Sequence, residues 1–222
     1  MMIKKWCKIL ICILLVLILA VGGLYLWQRE NINALIKVLT TDSETIAQEL
    51  EQTREAHLKE LEEAAQITVH VAPVTKQQSE DLLDGKVTVQ EVQDQMGFDP
   101  GAAESVSTKE DILNQCIAEL YAYKAEVMGT LGGIKQSMLE QWKSLPAAER
   151  TATKKAELGS AAIGQCYQYE ATVDGRVQEI LAVYRPKMVA IGEDPAPIDL
   201  LWNQYCDEKE AEKSYYMDKY MN

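Results

Sequence analysis

The feature that most constrains this chain is an apolar segment close to its N-terminus. No charged residue occurs between positions 9 and 28, and the stretch from Ile9 to Ala20 is unbroken apolar sequence. A helix of about 20 residues spans the roughly 30 Å hydrocarbon core of a bilayer, so this segment predicts a transmembrane helix. Aromatic residues, which favour lipid headgroups, flank it at both ends: Trp6, Tyr25 and Trp27.

The charges around this segment predict its orientation. Lys4, Lys5 and Lys8 precede it, whereas Arg29 behind it is balanced by Glu30. Because positive charge is retained on the cytoplasmic side, we expect the N-terminus inside and residues 29–222 outside the cytoplasmic membrane. This arrangement is typical of a bacterial envelope protein.

A cleaved signal peptide is the alternative for the same segment. Small residues at Val21-Gly22-Gly23 could form a cleavage site. The apolar run is longer than the core of an ordinary signal peptide, however, and aromatic residues continue beyond the glycines. We therefore favour an uncleaved signal anchor, and we expect a single-pass protein because no second apolar run follows.

Charge excludes one large class of partners. The chain carries 34 acidic and 22 basic residues, a net charge of −12. Residues 1–28 contribute three lysines and no acidic residue, so the outer part carries −15. It has no basic stripe with which to bind nucleic acid, and it would be repelled by anionic lipid surfaces. The hydrophobic content, 47%, is high enough to build a folded core.

Four regions are expected in a mainly α-helical chain. Residues 1–28 form a cytoplasmic tip and the transmembrane helix. Residues 29–66 form a juxtamembrane helix, since their apolar residues recur every three or four positions, and this helix could be a free stalk or could dock on the rest. Residues 67–107 form a small mixed segment and linker. Residues 108–222 form an elongated antiparallel three-helix bundle.

The mixed segment contains two candidate strands. Ile67, Val69 and Val71 alternate with other residues, which predicts a short strand, and residues 86–89 could form a second. A helical turn is expected over residues 79–83, ended by Gly85. Thr88 and Glu91 have the spacing of a capping box, which predicts a helix start.

Proline residues divide the C-terminal region into three helices. Thr108 opens the first helix, and Pro146 ends it. The second helix, whose apolar face is predicted to contact the core, ends before Pro195. The apolar residues of the second helix are Ala152, Ala156, Ile163, Cys166, Val173, Val177, Ile180, Tyr184, Met188 and Ile191.

The length of the connection predicts how the first two helices align. If the chain turns near Leu145, Tyr121 lies level with Tyr169, and the small residues at 129–133 lie opposite those at 157–161. Close approach of the two helices would explain these glycines, and a helix kink is the rival explanation. This register keeps Cys116, Cys166 and Cys206 apart, so we predict three free, buried thiols.

No catalytic, cofactor-binding or metal-binding residue is identified. His57 and His70 have no cysteine close to them in sequence, and the usual hydrolase, nucleotide and zinc motifs are missing. Residues 80–91 resemble a calcium loop only in part, because Leu82 occupies a position that must supply an oxygen ligand. A helix end followed by a capped helix explains the same residues. We therefore expect no enzyme activity, metal or cofactor.

The tyrosines suggest how the outer region could bind a partner. Nine of the ten tyrosines follow residue 120, and tyrosine suits half-exposed positions and interfaces alike. The sequence therefore favours a non-catalytic interaction or scaffold component of the cell envelope, anchored in the bilayer through residues 9–28. Its protein partner would bind through a Tyr-rich face. The alternatives are a ligand-sensing or substrate-binding helical domain and, third, a cell-wall-active enzyme.

Overall fold

The computed structural model describes residues 43–101 and 107–221, and these residues are mainly helical. Within them lie six α-helices, and a 3₁₀ turn at Ala147–Glu149 connects the fourth helix to the fifth. The helices are α1 (Ser43–Ala65), α2 (Lys76–Leu83), α3 (Val89–Met96), α4 (Lys109–Ser144), α5 (Ala152–Ala190) and α6 (Ala196–Met221).

The predicted transmembrane segment lies outside the described residues, as do residues 29–42 of the expected juxtamembrane helix. Among the helices that are described, none combines the length and the apolar content needed to cross a bilayer.

Threonine side chains start four of the helices. The predicted capping box is confirmed, because Thr88 accepts a hydrogen bond from the Glu91 N–H and the Glu91 carboxylate accepts one from the Thr88 N–H. The predicted start of α4 at Thr108 is confirmed as well. A second capping box, which was not predicted, is formed by Thr75 and Gln78 and starts α2 before the expected turn. Thr151 caps α5.

The prediction of two strands was wrong. Residues 67–75 are not helical and pair with no described strand, and Val89 is the first residue of α3. A side chain replaces the missing neighbour strand: the Asn114 carboxamide accepts a hydrogen bond from the His70 N–H at 2.7 Å and donates one to the Thr68 carbonyl at 2.9 Å. These two bonds satisfy backbone groups that a sheet would otherwise have to satisfy. The alternating apolar pattern therefore marks a segment docked on α4.

The helices α4 and α5 form the predicted antiparallel hairpin with a shifted register. Contacts run from Lys109–Glu193 at one end, through Glu119–Tyr184, to Thr130–Tyr169. The prediction that Tyr121 lies level with Tyr169 was wrong, because Tyr169 is level with residues further along α4. The 3₁₀ turn and the Thr151 cap lengthen the connection beyond the assumed turn at Leu145, which moves every opposing pair.

Two glycines of α4 allow close approach, which was one of the two explanations left open, but the approaching helices are not the expected one. A Cβ at Gly132 would lie 2.6 Å from the Leu82 carbonyl oxygen at the end of α2, and one at Gly129 would lie 2.6 Å from Val89 at the start of α3. At the predicted neighbour, Gly159 of α5, an added Cβ would meet no atom within 4 Å. The short helices α2 and α3 therefore pack directly on α4 and form one hydrophobic core with it.

The chain divides into two compact units. One contains residues 60–202, including the hairpin with α2 and α3, and the other contains residues 43–59 together with residues 203–221. In the second unit, residues 43–59 of α1 pack against α6. Its core is formed by Ile46, Leu50, Ala211 and Tyr215.

Candidate functional site

The two halves of the α4–α5 hairpin differ in burial. We call residues 109–132 and 173–190 the body and residues 133–172, which include the connection, the arm. The body is a packed core whose buried residues come from both helices. These residues are Ile112, Leu113, Cys116, Ile117, Ala122, Ala125, Met128, Gly132, Val173, Val177, Ile180, Leu181, Tyr184 and Met188. In the arm, by contrast, not one residue is buried.

The arm is nevertheless rich in apolar side chains. Its large apolar residues are half-exposed along the two helices, where a third helix would normally cover them. These residues are Ile134, Met138, Leu139, Trp142, Leu145 and Leu158. The described residues of this unit bury none of them, because α2 and α3 lie chiefly over the body. A two-helix layer of this kind is typical of a binding surface.

One face of α5 in the arm is exposed and carries no charge. Its residues recur at intervals of three or four positions, so they share one side of the helix. We call this set the arm stripe, and it consists of Ala152, Ala156, Ser160, Ile163, Tyr167 and Ala171. Ile163 is 44% exposed and Tyr167 is 39% exposed, and two apolar residues of the body, Val183 and Val189, are exposed to a similar or greater extent, at 49% and 59%.

The arm stripe corrects part of the predicted core. Ala152, Ala156 and Ile163 were expected to face the bundle interior, because apolar residues recur along the second helix. All three are exposed. By helical spacing the arm stripe is rotated by about 80° from the buried face of the body, which carries Val173, Val177 and Ile180, so it does not continue that face.

Glycines in the arm lie beside open space. A methyl group added at Gly133, Gly159 or Gly164 would meet no atom within 4 Å. A glycine inside a helix costs about 1 kcal/mol relative to alanine, and close packing among the described residues does not explain that cost at these three positions. Small residues beside open space permit another helix to approach closely.

The arm also differs from the chain as a whole in charge. It contains five basic and four acidic residues, whereas the whole chain has a net charge of −12. Two copies of an acidic protein repel each other over most of their surface. The body is as close to neutral, with five basic and six acidic residues, so electrostatic repulsion of an acidic partner is weak over the whole hairpin.

Buried polar groups in the body are paired with one another. The Tyr184 hydroxyl, on a fully buried side chain, donates a 2.7 Å hydrogen bond to the Glu119 carboxylate. Burial and this bond raise the pKa of Tyr184, and burial raises the pKa of the neighbouring Cys116 thiol. A thiol with a raised pKa is a poor nucleophile, so Cys116 acts here as a small apolar residue.

The segment that resembles a calcium loop uses its acidic residues for structure. The Asp84 carboxylate contacts the Lys135 ammonium at 2.6 Å and the Lys86 ammonium at 2.8 Å. These partners lower the pKa of Asp84 to about 2. Glu91 caps α3, as described above. In residues 43–101 and 107–221 no three potential metal ligands cluster together.

The second unit contains one strongly charged cluster. The Arg54 guanidinium is 5% exposed and forms ion pairs with Glu51, Glu208 and Glu212, at 2.5–3.2 Å. Burial alone would lower the pKa of Arg54, but the glutamates outweigh it, and its pKa is raised. An arginine whose donors are occupied by three carboxylates holds α1 against α6 and is not available to a ligand.

The histidines and cysteines are dispersed. His57 lies 3.7 Å from Asp207 in the second unit, and His70, in the unit that contains the hairpin, hydrogen-bonds Glu110. Cys116, Cys166 and Cys206 are not joined in disulfide bonds, as predicted. Burial was predicted correctly for Cys116 and wrongly for Cys166 and Cys206, which are half-exposed.

The tyrosines that the structure describes differ in burial. Tyr184 and Tyr215 are buried, and Tyr167 lies in the arm stripe. The others that the structure describes are half-exposed: Tyr121, Tyr123, Tyr169, Tyr205 and Tyr216. Burial and the nearby Tyr169 raise the pKa of Tyr123 to about 12, as expected for a tyrosine at the margin of a narrow core.

Comparison with known proteins gives no relative. No protein-family model matches the chain, and neither a curated protein nor a solved structure is significantly similar to it.

Proposed function

We propose that this protein is a non-catalytic interaction component of the bacterial cell envelope. Residues 9–28 would anchor it in the cytoplasmic membrane, with residues 29–222 on the outer side, as the flanking lysines favour. The helical hairpin would present the arm as its binding surface. The arm stripe carries this proposal, because it is an exposed and uncharged face on an otherwise acidic protein.

The polar clusters support a non-catalytic role. Each of the buried or half-buried charged groups described above has a protein partner that explains it: Glu119 has Tyr184, Asp84 has two lysines, and Arg54 has three glutamates. A catalytic group is typically left accessible, with its pKa close to the working pH. These groups instead stabilise the helices that carry them.

Membrane anchoring would make a weak surface sufficient. Two proteins held in the same bilayer meet at a high effective concentration, so a small contact can be occupied although it would be weak in solution. The arm offers a small contact surface of this kind.

Site-specific photo-crosslinking in native membranes tests the proposal. A photoreactive amino acid at Ser160, in the arm stripe, should give a discrete protein adduct. The same amino acid at Gln178, an exposed body position on the same helix, is the matched control and should give none. Equal labelling from both positions, or no adduct from Ser160, would contradict an interaction through the arm.

A further inference from the structure

The arm stripe is complementary to itself when two copies lie antiparallel. Around the point midway between residues 161 and 162, Ser160 falls opposite Ile163, Ala156 opposite Tyr167, and Ala152 opposite Ala171. A small residue thus faces a large one in the two central pairs, and the outer pair is small on both sides. Side chains that alternate in this way let two helices interlock.

We propose that the partner of the arm is a second copy of this chain, bound through an antiparallel pair of α5 helices. The pairing has two-fold symmetry: if residue i of one copy contacts residue j of the other, residue j of the first copy also contacts residue i of the second. This inference rests on the proposed function and names the partner that would occupy the arm.

Charge complementarity sets the direction of the pairing. With the stripes antiparallel, Lys155 of one copy lies within about 3 Å, or two residues, of the level of Glu170 of the other. By helical spacing both residues lie on the same flank of the stripe, and in antiparallel helices like flanks meet. The symmetry produces this contact twice. A parallel pairing would bring unlike flanks together and lose both opposite-charge contacts.

The glycines agree with this partner, and the available area sets its strength. Gly159 and Gly164 border the stripe and have open space beside them, so they permit an axis separation of about 8 Å. The stripe runs for about 30 Å along a single helix about 10 Å wide, so a pair of α5 helices buries about 600 Å² in total, which is about half of the lower limit for a stable specific interface. The dimer is therefore expected to be weak in solution and to be favoured by membrane anchoring.

Cysteine crosslinking of the full chain in membranes tests the pairing. Ser160→Cys is placed in a background in which Cys7, Cys12, Cys166 and Cys206 are alanine, and the buried Cys116 is kept. The two introduced thiols would belong to residues offset by about 4.5 Å along helices about 8 Å apart. A short-spacer bismaleimide can bridge them. The control is Gln165→Cys, an exposed residue on the opposite side of α5.

The outcomes separate the two proposals. A product of twice the 24.9 kDa chain mass from Ser160→Cys, with none from Gln165→Cys, is the expected result. A Ser160→Cys product with a different protein would overturn the homodimer and leave the proposed function standing. No product from Ser160→Cys overturns both, and equal homodimer from both positions shows random collision and overturns the pairing.

A charge-reversal series gives an independent measurement. Lys155→Glu or Glu170→Lys alone creates two like-charge contacts and should weaken dimerisation about tenfold. The double variant recreates the opposite-charge contacts and should return to within about threefold of the parent. Affinities follow from sedimentation of the full chain in detergent. If the double variant loses as much dimerisation free energy as the two single variants lose together, the antiparallel register is wrong.

Discussion

The body and the arm belong to the same two helices, yet only one of them is a core. In the body, α2 and α3 lie over α4, and Ile180 and Tyr184 of α5 are buried. In the arm the same helices continue and bury no residue. The difference teaches that an amphipathic helix specifies a face to be covered but does not specify what covers it. In the body the cover comes from this chain, and in the arm we propose that it comes from another copy.

Matched isoleucines on α5 should give the largest contrast. Ile180 is 1% exposed, so Ile180→Ala should lower the free energy of unfolding by about 3 kcal/mol, because it removes packed methyl groups and leaves a cavity. Ile163→Ala, in the arm stripe, should change it by less than about 0.5 kcal/mol in the monomer. Urea unfolding at low protein concentration measures both. Equal losses would mean that the arm has a core after all.

Gly132 and Gly133 lie on either side of the boundary between body and arm, and their substitution by alanine should change the stability in opposite directions. Gly132→Ala places a methyl group against the backbone at the end of α2, so α2 must shift, at a cost of about 2 kcal/mol. Gly133→Ala points into open space and should stabilise the helix by about 0.5–1 kcal/mol. Thermal unfolding of the two variants is the measurement, and the comparison fails if both changes have the same sign.

Tyr184 in the body and Tyr167 in the arm extend the comparison to polar groups. Tyr184→Phe removes the donor that the Glu119 carboxylate uses inside the body and should cost about 1–2 kcal/mol. Tyr167→Phe removes an exposed hydroxyl from the arm and should leave monomer stability unchanged. Denaturant midpoints of the two variants give the answer. A neutral effect at Tyr184 would show that its hydrogen bond is not part of the core.

The ion pairs of Asp84 join α4 to the end of α2. We expect them to make the smallest contribution to the free energy of unfolding, and this contribution depends on pH. The pKa of Asp84 is lowered from 3.8 to about 2, so its charged form stabilises the fold above pH 4 and this contribution is lost as the pH falls through 2. Because the side chain is partly exposed, the contribution is about 1 kcal/mol.

Two variants test this linkage. Asp84→Asn should be less stable than the parent at pH 7 and should approach it as the pH falls to 2, and Lys135→Gln should flatten the same part of the pH profile. Unfolding curves collected across this pH range provide the measurement. A difference that persists unchanged to pH 2 would assign the effect to something other than the charge of Asp84.

Local signals in the sequence predicted local structure well. The caps at Thr88 and Thr108, the break at Pro146 and the antiparallel hairpin all depend on residues close together in the chain, and the structure has each of them. The strand at residues 67–71 was predicted wrongly because its partner is the side chain of Asn114, which is distant in the chain. Alternation of apolar residues does not reveal what the backbone bonds to.

The candidate site could be predicted only in part. The glycines at 129–133 correctly indicated close approach, but the approaching helices were α2 and α3 and not α5. Ile163 was predicted to face the core, but the ten residues between it and Val173 turn it by about 80°, so the exposed face and the buried face of α5 are different faces. The signal that distinguishes them was present: from Ala152 to Tyr167 the stripe is mostly small residues, flanked by Gly159 and Gly164, which build a poor core on their own.

Hydrogen exchange of the full chain over a dilution series tests the central claim most directly. We predict that body amides at 173–190 are strongly protected at every concentration, whereas arm amides at 152–172 exchange fast when the chain is dilute and slow down as dimers form. The variant Lys155→Glu should shift that transition to higher concentration. Uniform protection along α5 that does not change with concentration would contradict both the division into body and arm and the second copy as its partner.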